Sequence, residues 1–220
     1  MQERDFPSLL AFIITAGLPA TLLLTVAGLG LGFLIGLALA LIRVYAEDEI
    51  AILAQAYENV FRGIPVLVLM LLFLVLTGWS AFFSAGLALG LRSGAYQSQI
   101  VRGAILSVEA NQVTAAYALG MDRMQAARHI VLPQAFRLAL PGWSNEYAVV
   151  TKDTAWAGAI GILDMVKAVD YLIFDDPIIF LPAILSVTII YFFLTYPLTR
   201  YAGEKMSKRL RSLGLGGNYR

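Results

Sequence analysis

The chain has 220 residues, of which 59% are hydrophobic and 14% are charged, and its formal net charge is +1. The hydrophobic residues form runs that are too long for soluble helices, which indicates an integral membrane protein and excludes an ordinary soluble domain. The sequence contains no cysteine, so disulfides, thiolate metal sites and cysteine nucleophiles are excluded as well.

The first hydrophobic run contains no charged residue from Phe6 to Ile42. As one helix it would measure about 55 Å, whereas the hydrocarbon core of a bilayer is ~30 Å thick. We therefore expect Pro19 to separate a short interfacial piece from the first membrane span. The hydrophobic runs predict five transmembrane helices in all, at about residues 20–42, 50–76, 81–106, 138–157 and 178–200.

Small residues recur every four positions along the first span, at Gly28, Gly32, Gly36 and Ala40. This spacing places them on one ridge of a helix, where another helix backbone can approach closely. We consider Gly28, Gly32 and Gly36 as candidates for packing between subunits or for a gating contact. The alternative is ordinary packing inside one subunit.

The distribution of basic residues predicts the orientation in the membrane. If the loop after the first span is cytoplasmic, most Lys and Arg residues lie inside, namely Arg43, Arg123, Arg128, Arg137, Arg200, Lys205, Lys208, Arg209, Arg211 and Arg220. Arg4, Lys152 and Lys167 then lie outside. The opposite orientation violates the positive-inside rule, so we predict an amino terminus outside the cell and a carboxyl terminus in the cytoplasm.

A polar segment interrupts the hydrophobic pattern between the third and fourth predicted spans. It reads Thr114-Ala115-Ala116, three residues, Gly120, nine residues, and Ile130 to Pro133. This spacing resembles the EAA loop of ATP-binding-cassette (ABC) importer permeases, through which a separate ATPase grips the membrane subunit. One residue departs from the motif, because Thr114 stands where the motif has its Glu.

Further runs in the same order resemble the polar amino acid branch of these permeases. The matching runs are Phe61 to Pro65, Ser93 to Tyr96, Arg102 to Ile105, Gln112, Leu132 to Ala135, Asn145-Glu146, Lys152 to Thr154 and Ile160-Gly161. They lie in one collinear register between Tyr57 and Val169. An ordered series of this kind is far more specific than a single Gly or Pro match.

The resemblance implies an all-α, MetI-like permease domain over residues 1–220, with five transmembrane helices and a cytoplasmic coupling loop at residues 109–133. It implies a subunit of an ATP-driven importer for polar amino acids in the inner membrane of a prokaryotic cell. The implied partners are a second permease subunit, identical or related, two ABC ATPase subunits and an extracytoplasmic amino acid binding protein. The bilayer surrounds the chain, and no nucleic acid is expected.

No catalytic residue, cofactor or metal is expected on this chain itself. Its sequence has no G-x-x-x-x-G-K run to hold phosphates, so ATP and magnesium are expected on the partner ATPase. An intramembrane hydrolase is not expected, since the chain has no Cys and its single histidine, His129, lies in the polar segment. The alternative that stays open is an ion-coupled secondary amino acid carrier or a channel, with buried charges as a relay.

The coupling loop, residues 109–133, is predicted to form two short helices with a turn. We expect Asn111 to adopt a left-handed conformation, Gly120 to allow a sharp bend, and Pro133 to begin the helix of the fourth span. The residues implied in ATPase coupling are Thr114, Ala115, Ala116, Gly120, Asp122 and Arg123. Glu109 is a candidate to replace the missing motif charge. The alternative is an amphipathic loop that rests on the membrane surface.

Ionisable side chains within membrane spans are costly and usually face a cavity or a partner. The candidates for the substrate pathway are Arg92, Ser93, Tyr96, Glu146 and Asp153. Arg92 stands where the resembled pattern has Asn, so we hypothesise that it favours a substrate that carries carboxylates. The alternative is an internal ion pair of Arg92 with Glu146 or Asp153. Glu58 and Arg62 lie near the inner end of the second span, where Arg62 can reach water.

Overall fold

The computed structural model describes residues 6–175, 177–205 and 208, and these residues form helices and turns without a β-strand. The predicted all-α class is therefore confirmed for this part of the chain. The α-helices are α1 Phe6–Phe12, α2 Leu18–Tyr45, α3 Asp48–Gly63, α4 Val66–Thr77, α5 Ala81–Leu106, α6 Ala110–Ala118, α7 Arg123–Ala126, α8 Leu132–Asp153, α9 Met165–Asp175 and α10 Phe180–Leu198. Arg4, Arg209, Arg211 and Arg220, used above for the orientation, lie outside the described residues.

The first helix continues through Pro19, so the expected division at this residue is wrong. A π-helical turn, Ile13–Gly17, joins α1 to α2, and together they form one helix from Phe6 to Tyr45. Pro19 follows this π turn after Leu18, and a local π adjustment of this kind allows a membrane helix to accommodate a proline. The same arrangement recurs before α8, where the π turn Ala127–Val131 precedes Pro133.

The second predicted span, residues 50–76, is wrong as one straight helix. The structure divides it into α3 and α4, whose axes are bent by 102°. Ile64 is extended, with φ −96° and ψ 130°, because the ring of Pro65 disfavours a helical conformation at the preceding residue. The Gly63-Ile64-Pro65 segment thus turns the chain at the centre of the predicted span.

Helix α5 lies at the centre of the fold and packs against α2, α3, α4 and α8. Half of its 26 residues are buried. Such a helix tolerates polar residues because protein, rather than lipid, surrounds them. By length and hydropathy, two described helices can cross a membrane, Phe6–Tyr45 and Pro177–Tyr201, and the bent α3–α4 pair is a third if it forms one span.

The glycine ridge of α2 packs against α5 of the same chain, so its prediction as a contact between subunits is wrong. A Cβ atom on Gly32 would lie 2.8 Å from Ser93 Cβ, and one on Gly36 would lie 2.9 Å from the backbone nitrogen of Ser98. A Cβ atom on Gly28 would lie 2.9 Å from Leu89 Cβ. The ridge is therefore filled inside the subunit, as the alternative held.

A helix that hydropathy did not predict, α9, lies between the fourth and fifth predicted spans. The carboxylate of Asp164 accepts hydrogen bonds from the backbone N–H groups of Val166 and Lys167 at 3.3 and 2.9 Å. Asp164 thus satisfies free donors at the start of α9. Buried residues of α9 form one hydrophobic cluster with α1 and α10.

Candidate functional site

Residues 109–133, the predicted coupling loop, have the predicted form of short helices with a turn. Helix α6 ends at Ala118, Gly120 adopts the left-handed conformation with φ 83°, and α7 leads through a π turn into α8. Gly120 is suited to this turn because it lacks a Cβ atom. Pro133 is the second residue of α8, but the π turn joins α7 to α8 without a break, so the prediction that a helix begins at Pro133 is wrong.

The left-handed conformation expected at Asn111 is wrong. Asn111 lies within α6, and among the described residues no residue other than glycine has a positive φ. Helix α5 ends instead with tighter i→i−3 bonds, from the N–H of Ser107 to the carbonyl of Ala104 and from the N–H of Val108 to the carbonyl of Ile105, each at 3.2 Å. Glu109 is then extended as the N-cap of α6, so a left-handed residue is not required.

The turn between the two short helices is held by a reciprocal cap. Asp122 accepts a hydrogen bond from the backbone N–H of Gln125 at 2.8 Å, and the Gln125 side chain accepts one from the N–H of Asp122 at 3.0 Å. This capping box satisfies two free donors at the start of α7. The Asp122 carboxylate therefore positions the loop, a role that the sequence reading did not assign to it.

The predicted coupling residues do not share one surface. Ala115, Thr114, Gly120 and Asp122 are exposed, whereas Ala116 is buried and packs into the chain. The hydroxyl of Thr114 donates to the carbonyl of Ala110 in its own helix at 3.1 Å. Two exposed hydrophobic side chains in this segment were not predicted from the sequence. Leu119 is 81% exposed and Met124 is 75% exposed. Their occurrence in a polar segment is the signal that could have identified them.

Arg123 extends from the loop to the end of α2. Its Nη2 donates to the carbonyl oxygen of Val44 at 3.4 Å, and its guanidinium carbon lies 5.2 Å from the centre of the Tyr45 ring. A guanidinium above an aromatic face is attracted by the ring quadrupole. Arg123 was predicted to face an ATPase, but its side chain contacts α2 of its own chain.

Two polar contacts between α5 and α8, together with the ring of Tyr96, contain all five candidates for the substrate pathway. Arg92 Nη1 lies 2.6 Å from Asp153 Oδ2. Ser93 Oγ donates to Glu146 Oε1 at 2.7 Å. The guanidinium of Arg92 also lies 4.8 Å from the centre of the Tyr96 ring. Of the partners considered for Arg92, the structure places Asp153 at ion-pair distance, as the alternative held.

A second buried carboxylate ties α3 to α5 and α2. Glu58 has no exposed surface, and its two oxygens accept hydrogen bonds from Ser98 Oγ at 2.6 Å and Gln99 Nε2 at 2.5 Å. Arg43 Nε lies 3.8 Å from Glu58 Oε2. Hydropathy and spacing placed Glu58 only near the end of a span. Its hydrogen-bond partners Ser98 and Gln99 could not be found from sequence because they lie about 40 residues further along the chain.

Replacing Glu58 by Leu is expected to lower the free energy of unfolding by about 2 kcal/mol, because it leaves Ser98, Gln99 and Arg43 without their buried acceptor. Glu58→Gln keeps an acceptor for these donors and should cost less. Thermal unfolding of the purified chain in detergent measures both. The matched control is Glu49→Leu, at an exposed position of α3. Equal midpoints for Glu58→Leu and Glu49→Leu would contradict the prediction.

Comparison with known proteins identifies the family. The model of the "binding-protein-dependent transport system inner membrane component" family matches residues 28–208. The nopaline transport system permease protein NocM of Agrobacterium fabrum is 37% identical over 179 residues, which cover 74% of this chain and 71% of that protein. The glutamate/aspartate import permease protein GltK of Escherichia coli is 34% identical over 182 residues, which cover 76% of this chain and 81% of that protein.

Solved structures agree with these sequence matches. The crystal structure of an amino acid ABC transporter with histidines contains a chain with a TM-score of 0.81 and 31% identity, and the match covers 94% of this chain and 100% of that one. The MetNI methionine ABC transporter contains a chain with a TM-score of 0.72 and 19% identity, which supports the fold alone. The predicted resemblance is thus confirmed, and the chain belongs to the family of binding-protein-dependent transport system inner membrane components.

Proposed function

We propose that this chain is a permease subunit of an ATP-driven ABC importer for polar amino acids. Two permease subunits, identical or related, form an alternating-access pathway that receives an amino acid from an extracytoplasmic binding protein. Two ATPase subunits, which carry ATP and magnesium, drive the pathway through the coupling loop. This chain itself catalyses no bond chemistry.

The observation that carries the proposal is the exposed hydrophobic surface of the coupling loop. Leu119 and Met124, at 81% and 75% exposure, lie on either side of the left-handed Gly120, and Tyr117 is 48% exposed nearby in sequence. A loop that only rested on the membrane surface would not require the capping box and the left-handed turn found beside these side chains. Large apolar side chains on such a rigid turn fit a groove on another protein.

We propose that α5 and α8 cross the membrane in addition to Phe6–Tyr45, the α3–α4 pair and α10, which makes five spans. Helices α5 and α8 have 26 and 22 residues, enough to cross ~30 Å of hydrocarbon. Their polar residues are paired inside the protein, as with Arg92 and Asp153. In this arrangement the amino terminus lies outside and the coupling loop faces the cytoplasm.

The substrate pathway is proposed to run along the contact between α5 and α8 that contains Arg92, Ser93, Tyr96, Glu146 and Asp153. These side chains bring ionisable groups together from α5 and α8, where membrane helices normally avoid them. Arg62, whose guanidinium carbon lies 5.2 Å from the centre of the Tyr96 ring, adds an exposed positive charge. A zwitterionic amino acid needs both an acceptor and a donor of this kind.

Single cysteine variants test the orientation and the partner, because the chain has no cysteine of its own. We expect Leu119→Cys to react with a membrane-impermeant maleimide only from the cytoplasmic face. The matched control is Trp79→Cys, an exposed residue of the α4–α5 turn, which should react only from outside. A crosslinker on Leu119→Cys should capture the ATPase subunit when the two are expressed together.

Transport is then measured with the complex reconstituted in vesicles together with the binding protein. Uptake of a tritiated polar amino acid should require ATP and should persist in the presence of an uncoupler. Labelling of Leu119→Cys from outside would contradict the proposal. Uptake by the chain without an ATPase would instead favour the ion-coupled carrier.

A further inference from the structure

The last residues of α2 are a junction at which three parts of the fold meet. Val44 and Tyr45 are contacted by the coupling loop through Arg123. Arg43, only two residues from Tyr45, is contacted by α3, through Gln55 Oε1 at 2.8 Å and the carbonyl of Ala51 at 3.4 Å. Through Glu58, α3 is in turn bonded to α5.

Arg123 is suited to hold this junction because of where α2 ends. The last carbonyl groups of a helix have no partner within the helix and carry the negative end of its dipole. The guanidinium of Arg123 donates to one of them, on Val44, and lies above the face of Tyr45. The capping box of Asp122 and Gln125 holds the backbone from which Arg123 extends.

The contacts continue from this junction towards the proposed pathway. Arg43 lies beside Glu58, and Gln99 donates to Glu58 from α5. On α5, Gln99 lies one helical turn from Tyr96, whose ring carries the guanidinium of Arg92. The close packing of the α2 glycines on α5 makes a separate movement of these two helices costly.

We propose that Arg123 is a positioning residue that transmits the movement of the coupling loop to α2 through Val44 and Tyr45. It acts inside the permease and does not serve as a docking contact for the ATPase. This inference rests on the proposed function, since it assigns an internal route to the movement that the ATPase subunits cause. The loop thereby pulls on α2 as well as on α8, to which it is covalently joined.

The test compares ATP hydrolysis with transport in the reconstituted full complex. Uptake is measured with whichever tritiated amino acid, among glutamate, cystine and arginine, the wild-type complex moves fastest. We expect Arg123→Gln to retain the ATPase subunit and its hydrolysis but to move roughly tenfold less amino acid per ATP. Arg123→Lys, which keeps a cation near the ring, should restore part of this ratio.

Tyr45 variants separate a specific contact from a general structural effect. Tyr45→Phe keeps the aromatic face and should keep the ratio of transport to ATP hydrolysis, whereas Tyr45→Leu should lower it as Arg123→Gln does. The double variant should lose little more than either single variant, because both remove the same contact. Arg137→Gln is the matched control, since Arg137 is exposed in α8 and its side chain makes no hydrogen bond, ion pair or ring contact in the described part of the chain.

Two results would overturn the inference. An unchanged ratio in Arg123→Gln shows that the contact with α2 carries no movement, and loss of the bound ATPase in this variant shows that Arg123 is a docking residue. Failure of the proposed function has a different signature, because the wild-type chain would then bind no ATPase at all. Thermal unfolding of each variant shows whether the fold is intact.

Discussion

Replacing Gly36 by Val is expected to prevent stable folding of the chain. A Cβ atom at this position would lie 2.9 Å from the backbone nitrogen of Ser98 and 3.0 Å from the carbonyl oxygen of Gly94. Neither backbone atom can move aside without displacing α5, the central helix. We expect a cost of at least ~3 kcal/mol, at the upper end for overpacking, since two helix backbones must separate along their length.

The matched control for this substitution is Gly30→Val in the same helix. A Cβ atom on Gly30 meets nothing within 4 Å, so this variant measures only the effect of Val on an exposed helix position. The yield of monodisperse protein in detergent and its unfolding midpoint are measured for both variants. If Gly36→Val unfolds at the same temperature as Gly30→Val, the close packing of α2 on α5 is disproved.

Removal of the acidic partner of Arg92 is expected to be the second large effect. Asp153→Leu leaves the guanidinium of Arg92 without its ion pair between α5 and α8, where both side chains are more than four-fifths buried. Breaking one side of such a pair costs about 3 kcal/mol, because an uncompensated charge remains inside the protein. Both the unfolding midpoint and the uptake rate should fall.

The double variant Arg92→Gln with Asp153→Leu tests whether Asp153→Leu lowers stability because Arg92 is left with an unpaired charge or because the contact between α5 and α8 is lost. It removes both charges, so stability should recover substantially towards that of the wild-type chain. The matched control is Asp170→Leu, because Asp170 pairs with Lys167 at an exposed site. A double variant that is less stable than Asp153→Leu alone would contradict an ion pair between Arg92 and Asp153.

The coupling loop shows how far local sequence preferences reach. Gly120 was placed correctly because a left-handed turn favours glycine, whatever the rest of the fold does. Pro133 was not, because the π turn before it lets the helix continue. Asn111 was placed wrongly because its tolerance of the left-handed conformation is only a preference. The chain leaves α5 at Ser107 and Val108 through i→i−3 bonds, where no residue has a positive φ.

The membrane spans show that hydropathy, too, predicts only part of the structure. The uncharged run from Phe6 to Ile42 corresponds to a continuous helix, but its π turn before Pro19 cannot be read from composition. The Gly63-Ile64-Pro65 segment contains a recognisable break, yet the 102° bend depends on where α4 packs against α5. Helix α9 was missed because its hydrophobic residues share a cluster with α1 and α10 rather than forming a long run.

The sequence by itself determined the family, the helical membrane character of the chain and the left-handed turn at Gly120. These properties follow from hydropathy, from motif spacing and from the backbone preferences of glycine and proline, which each segment carries alone. Only the tertiary structure decided that the glycines of α2 face α5, that Arg92 pairs with Asp153, and that Arg123 lies on Tyr45. Such partners lie far apart in the chain, and a charge or a gap on one helix acquires its partner only when the helices pack together.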